Sequence, residues 1–147
     1  MKKNYKFYGL LICCLLFSCK ATKYTPKDYP DIQLIFGEGG GISGQVNEYH
    51  LFENGILFKG KGMVDKTYEK IGKISTTKAS QFFANYNALD VEMIEFDHPG
   101  NIYKFIEWKK GDQRHRITWG AMDHQVDKNV QLLYSLFHHQ LSTLNTK

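Results

Sequence analysis

The chain has 147 residues, of which 42% are hydrophobic and 14% aromatic, a composition that favours one packed core over disorder. Lys and Arg number 19 against 15 Asp and Glu, a formal charge of +4, yet no clustered basic face is visible and nucleic-acid binding is disfavoured. All three cysteines lie within the first 19 residues, which excludes a disulfide framework in the remainder.

The N-terminus has the layout of an export signal. Lys2, Lys3 and Lys6 form a basic region, and Phe7 to Phe17 then run without a charge. That run is too short to span a membrane, which takes about 20 apolar residues. Leu16-Phe17-Ser18-Cys19 resembles the lipobox of bacterial lipoproteins: an aliphatic residue, a variable one, a small one, then cysteine. The resemblance implies a signal peptide over 1–18, cleavage after Ser18 and lipid on the Cys19 thiol. Stable anchoring takes more than one acyl chain, each buried methylene contributing about 0.8 kcal/mol. Loss of the three signal lysines leaves 16 basic against 15 acidic residues, so much of the apparent basicity belongs to the signal. Lys20 follows the cysteine where aspartate is associated with inner-membrane retention in enteric bacteria, which favours the outer membrane.

Residues 19–30 read as a lipidated tether. The stretch from Lys20 to Pro30 is polar, holds two prolines and shows no periodicity. Fully extended, such a segment reaches about 35–40 Å. The domain is expected over 31–147. Ile32 to Phe36 reads as a strand, interrupted by the glycine-rich Gly37 to Gly44, after which Gln45 to Phe52 is again strand-like. Asn54-Gly55 predicts a type I′ hairpin turn into Ile56–Phe58, and Tyr68 to Ile74 reads as a further short strand.

Ser75 has the chemistry of a helix N-cap. Ala79, Phe82, Phe83, Tyr86 and Leu89 then fall on one face of a helix. His98-Pro99-Gly100-Asn101 breaks the chain. Ile102–Trp108 and Arg114–Trp119 form a second hairpin, with His115, Ile117 and Trp119 alternating against Arg114, Arg116 and Thr118. Asp123 or Asp127 is placed to cap a last helix, whose stripe is Val126, Val130, Leu133, Tyr134, Phe137 and Leu141. The expected class is α+β: an antiparallel sheet of about four to six strands with two amphipathic helices packed on one face.

Few motifs suggest chemistry. Gly39 to Gly44 spells G-x-G-x-x-G after a strand, but the dinucleotide fingerprint needs a helix next, and Gln45 to Phe52 is β-like. No Gly-Lys-Ser/Thr follows, so there is no P-loop, and Ser43 lies outside any G-x-S-x-G elbow. The glycines suit either a wide turn or a binding loop that a partner's backbone can approach closely. The residues assigned to that loop are Glu38, Gly39, Gly40, Gly41, Ile42, Ser43 and Gly44. Six histidines (His50, His98, His115, His124, His138 and His139) include no H-E-x-x-H pair, and Asp97-His98 reads as a turn. Asp90, Glu92, Glu95 and Asp97 form an acidic, solvated segment, and Trp119 is assigned to the core in preference to the surface. No cofactor is expected.

The order of these features resembles the emfourin family, small inhibitors of thermolysin-like metallopeptidases. The residues carrying the resemblance are Gly40-Gly41-Ile42-Ser43-Gly44, Tyr103 to Trp108, His115 to Trp119, and Leu132 to Leu141, in an order spanning most of 32–144. This chain differs in a longer 45–74 region and in Ile42, where an aromatic residue is common. It equally resembles small Gram-negative lipoproteins carrying a Gly-Gly-x-x-Gly segment. The resemblance implies a non-enzymatic inhibitor-like domain whose partner is an envelope protein such as a metallopeptidase. Two other classes stay open: a metal-dependent hydrolase using the histidines, and a structural envelope lipoprotein without a ligand.

Overall fold

The structure, a computed structural model, describes residues 24–63 and 65–144; the expected signal peptide and Cys19 lie outside them. The elements are β1 (Ile32–Gly40), β2 (Val46–Phe52), β3 (Ile56–Gly62), β4 (Thr67–Lys73), α1 (Thr76–Ala88), a 3-10 turn (Val91–Met93), β5 (Asp97–His98), β6 (Ile102–Lys110), β7 (Gln113–Trp119) and α2 (Lys128–Leu144). The protein is α+β, with a mostly antiparallel sheet and two helices. The strands lie in the order β4-β3-β2-β1-β6-β7-β5.

The sheet has seven strands where four to six were expected. The seventh is β5, two residues long and parallel to β7, with Asp97 opposite Thr118 and His98 opposite Trp119. Two polar residues beside a Pro-Gly break carry no alternating pattern, so nothing local marks them as a strand. The second surprise is β1, which runs through the glycines to Gly40 and does not stop at Phe36.

Alternation along the strands gives the sheet two different faces. Leu34 and Phe36 of β1, Leu51, Leu57, Ile106 and Ile117 share one face and form the core with the buried residues of both helices. Phe36 stacks on Phe137 of α2 at 3.9 Å, and Phe82 of α1 meets Phe137 edge-on at 5.6 Å. Such ring pairs contribute about 0.5–1.5 kcal/mol beyond their buried area. The helix stripes anticipated from spacing are the buried ones: Ala79, Phe82 and Tyr86 in α1, and Val130, Leu133, Tyr134, Phe137 and Leu141 in α2. Ser75 caps α1 through Oγ, which accepts from Lys78 N at 3.3 Å. Of the two aspartates considered for α2, Asp127 fills the role, accepting from Asn129 N at 2.7 Å.

The β2–β3 turn is not type I′. Gly55 has φ 84°, but Asn54 does not take a positive φ; among the described residues only Asp90 does so without being glycine. Gly55 N donates to Phe52 O and Ile56 N to Asn54 Oδ1. This is the three-residue hairpin loop, a type I turn closed by a left-handed glycine. Asn54 serves through its side chain, not through its tolerance of positive φ.

Of the expected tether, residues 24–30 are described, and they pack on the face of the sheet opposite Leu34 and Phe36. Tyr29 is buried and stacks on Phe52 at 3.8 Å, and Pro26 O accepts from Gln33 Nε2 at 3.1 Å. Two buried side chains in seven residues give this segment a hydrophobic reason to dock.

Candidate functional site

Two places on the domain carry features that the core does not need. The first is the end of the sheet formed by the glycine loop. Gly39 and Gly40 belong to β1, paired with Val46 and with Tyr103 and Ile102, while Gly41 to Gln45 make the connection to β2. Most of the glycines answer to packing. A Cβ on Gly37 would lie 2.3 Å from the Phe105 ring, and one on Gly39 would lie 2.7 Å from the Tyr103 hydroxyl. These two rings of β6 lie across the strand against glycines, a known way to fill the space a glycine leaves in a sheet. Gly40 has φ 98°, and a Cβ there would meet Asn101 O at 2.1 Å.

What the loop offers outward is Ile42. It is fully exposed, with Glu38 and Ser43 also in solvent. Ile102 (67% exposed) and Met63 (61% exposed) lie at the same end: Ile102 pairs with Gly40, and the Met63 side chain reaches the side of Gly44. A shallow depression of about 220 Å³ runs between Glu38, Gly40, Ser43, Asn47 and Ile102. Glycine backbone and unpaired apolar side chains therefore share one surface, with three aliphatic groups that gain from leaving water.

The second place is the face of the sheet opposite Leu34 and Phe36, and no motif in the sequence marks it. Register puts Glu48 and His50 of β2, Ile35 of β1, Glu107 and Lys109 of β6, and Arg114 and Arg116 of β7 on one surface. They border a cavity of about 290 Å³. His50 Nδ1 lies 2.9 Å from Gln33 Oε1, and the Gln33 amide is oriented by its bond to Pro26 O. His50 Nε2 lies 2.9 Å from Glu48 Oε1, and Lys66 Nζ donates to Glu48 Oε2 at 2.5 Å. Burial alone would raise the Glu48 carboxyl, but His50 and Lys66 outweigh it and hold its pKa at about 2. Burial pushes the His50 imidazole below its usual pKa, with Glu48 acting in the opposite sense. Tyr68, packed edge-on to His50, is pushed up to about 12 by burial and by the Glu48 charge.

Glu107 is the second buried carboxylate. Arg116 Nη1 donates to its Oε2 at 3.2 Å, and Arg114 Nη1 stands 3.6 Å from its Oε1. The Arg116 guanidinium also lies over the Phe105 ring, 3.6 Å from its centroid. The signal in the sequence was the phase of three strands: Glu48-x-His50, Glu107-x-Lys109 and Arg114-x-Arg116 each alternate with core residues. Only register shows that the three phases coincide.

The histidines scatter. His115 Nε2 donates to Ile94 O at 3.1 Å, and its Nδ1 accepts a short hydrogen bond from Tyr86. His138 packs on Tyr134. His98 and His124 stack at 3.8 Å, and Asp123 Oδ1 lies 3.0 Å from His124 Nδ1. Among the described residues, no three His, Cys, Asp or Glu side chains are grouped to hold a metal ion. Also among them, no helix is long and apolar enough to cross a membrane. Trp119 is partly buried against the core, edge-on to Tyr134 at 5.2 Å. No protein-family model matches this chain, and no curated protein matches its sequence.

Proposed function

We propose that the chain is a lipoprotein of the bacterial cell envelope, anchored through acylated Cys19, whose domain is a non-enzymatic binding module for another envelope protein. The observation that carries the binding role is the exposure of Ile42 at the tip of the β1–β2 connection, beside Ile102 and Met63. One exposed aliphatic residue is ordinary, but three at the same end of the sheet form a surface that a partner can cover. The anchor rests on Leu16-Phe17-Ser18-Cys19 and on the cysteine count. Lys20 favours the outer membrane over the inner one.

A protease-inhibitor role, with a thermolysin-like metallopeptidase as partner, is the specific form of this reading, through Glu38 to Gly44. The test has two parts. Labelled palmitate should enter the wild-type chain and not Cys19→Ala; equal labelling contradicts the anchor. The full-length chain in detergent should capture an envelope protein that Ile42→Asp fails to capture; equal capture contradicts the loop. Inhibition of a thermolysin-like protease at micromolar chain decides for the inhibitor form, and unchanged proteolysis removes it for that target.

A further inference from the structure

We propose that the cavity on the face of the sheet opposite Leu34 and Phe36 is a binding site for a phosphate group of a small ligand, held by Lys109 and Arg114 at its mouth. This site is separate from the glycine-loop end. Five cationic side chains border the cavity (Lys27, Lys66, Lys109, Arg114 and Arg116) against two carboxylates, Glu48 and Glu107. The surplus is three positive charges, without counting His50.

The carboxylates are committed inward. Both oxygens of Glu48 are taken by His50 and Lys66, and both of Glu107 face Arg114 and Arg116. Among the described residues, Lys109 and Lys27 have no carboxylate at ion-pair distance. Lys109 sits directly opposite Arg114 in the β6–β7 register. Like charges in directly opposed cross-strand positions destabilise a sheet. A pair of this kind beside a partly enclosed polar cavity is relieved by an anion placed between them.

Size and donor chemistry narrow the ligand. About 290 Å³ suits a small molecule and not a folded partner. Gln33 holds the Pro26 carbonyl, so the 24–30 segment forms one wall, and Lys27 lies near the Tyr68 ring on that side. Arginine forks and lysine point charges together are the usual recognition of a phosphoryl group. Three surplus charges favour its double charge over the single charge of a carboxylate. The phosphate can belong to a soluble molecule or to a lipid headgroup.

The experiment is calorimetric titration of the full-length chain in detergent with inorganic pyrophosphate, with soluble dihexanoyl phosphatidic acid, and with acetate. Saturable binding of either phosphate, at least tenfold tighter than acetate, is expected, and the tighter of the two identifies the source. Arg114→Ala and Lys109→Ala should each weaken it by tenfold or more. Both side chains lie at the cavity rim, and Arg116 remains on Glu107 in each variant. Lys128→Ala, at the start of α2, should leave it unchanged. No phosphate binding below 10 mM, acetate binding as tight as pyrophosphate, or wild-type affinity in both rim variants would overturn the site.

Discussion

Gly37 and Phe105 occupy the same position across β1 and β6, and the ring lies where a side chain on residue 37 would be. The replacement Gly37→Ala should therefore cost about 3 kcal/mol, because the ring is fully buried and cannot swing into solvent. Gly41→Ala meets no neighbour within 4 Å and suffers only from its positive φ of 70°, about 1 kcal/mol. Urea unfolding of the two variants should separate them by a clear margin. Equal losses would mean that the glycines serve turn geometry alone.

Acid should destabilise the protein in two stages. His50 and His138 are both held below their usual pKa by burial, whereas the unfolded chain protonates them near 6.5. Folded stability thus falls as pH drops below about 6.5. Glu48 titrates at about 2 when folded and at about 4.3 when unfolded, so its contribution is complete above about 4.3 and disappears as pH falls through 2. Glu48→Gln should cost about 2 kcal/mol at pH 7, and the gap to wild type should close near pH 2. A gap that stays constant from pH 7 to 2 would remove Glu48 as the origin.

Tyr86→Phe takes the hydroxyl from His115 Nδ1, whose other nitrogen remains on Ile94 O. Losing one such bond at a mostly buried site should cost about 1 kcal/mol. Burial, with Glu92 and Glu95 nearby, raises the Tyr86 pKa well above its ordinary value, so ultraviolet titration should find one fewer high-pH phenol in the variant. No change in either measurement would contradict the pairing.

Tyr29→Ala should free the 24–30 segment. The ring stack on Phe52 is its main apolar hold, and its loss should cost roughly 2 kcal/mol. Limited proteolysis should then cut near Lys27 faster than in the wild type. Identical cleavage in both would show that the Gln33–Pro26 bond holds the segment unaided.

Much of the fold was legible because the core strands and both helices have strong periods. Ser75, the stripe from Ala79 to Leu89 and the alternation from Arg114 to Trp119 all correspond to observed elements. β5 was hidden because two residues carry no period. The continuity of β1 through Gly37 to Gly40 was hidden because glycine reads as a breaker until Phe105 and Tyr103 are known to cover it. The Asn54 turn was misread because the same dipeptide serves two loop lengths. The glycine loop was visible as a segment, but its outward feature is a single residue, Ile42. The charged cavity was invisible for a different reason: Glu48 and His50 of β2 are far in sequence from the hairpin that carries Glu107, Arg114 and Arg116, and only strand order brings the two together.

The central claim, that the loop end of the sheet meets a partner, is tested most directly by a photo-crosslinking residue at Ile42 in cells, compared with one at Asp112 in the turn at the opposite end. A discrete adduct with one envelope protein at position 42, absent at 112, is the predicted result. Identical adduct patterns at the two positions, or none at 42, would contradict it.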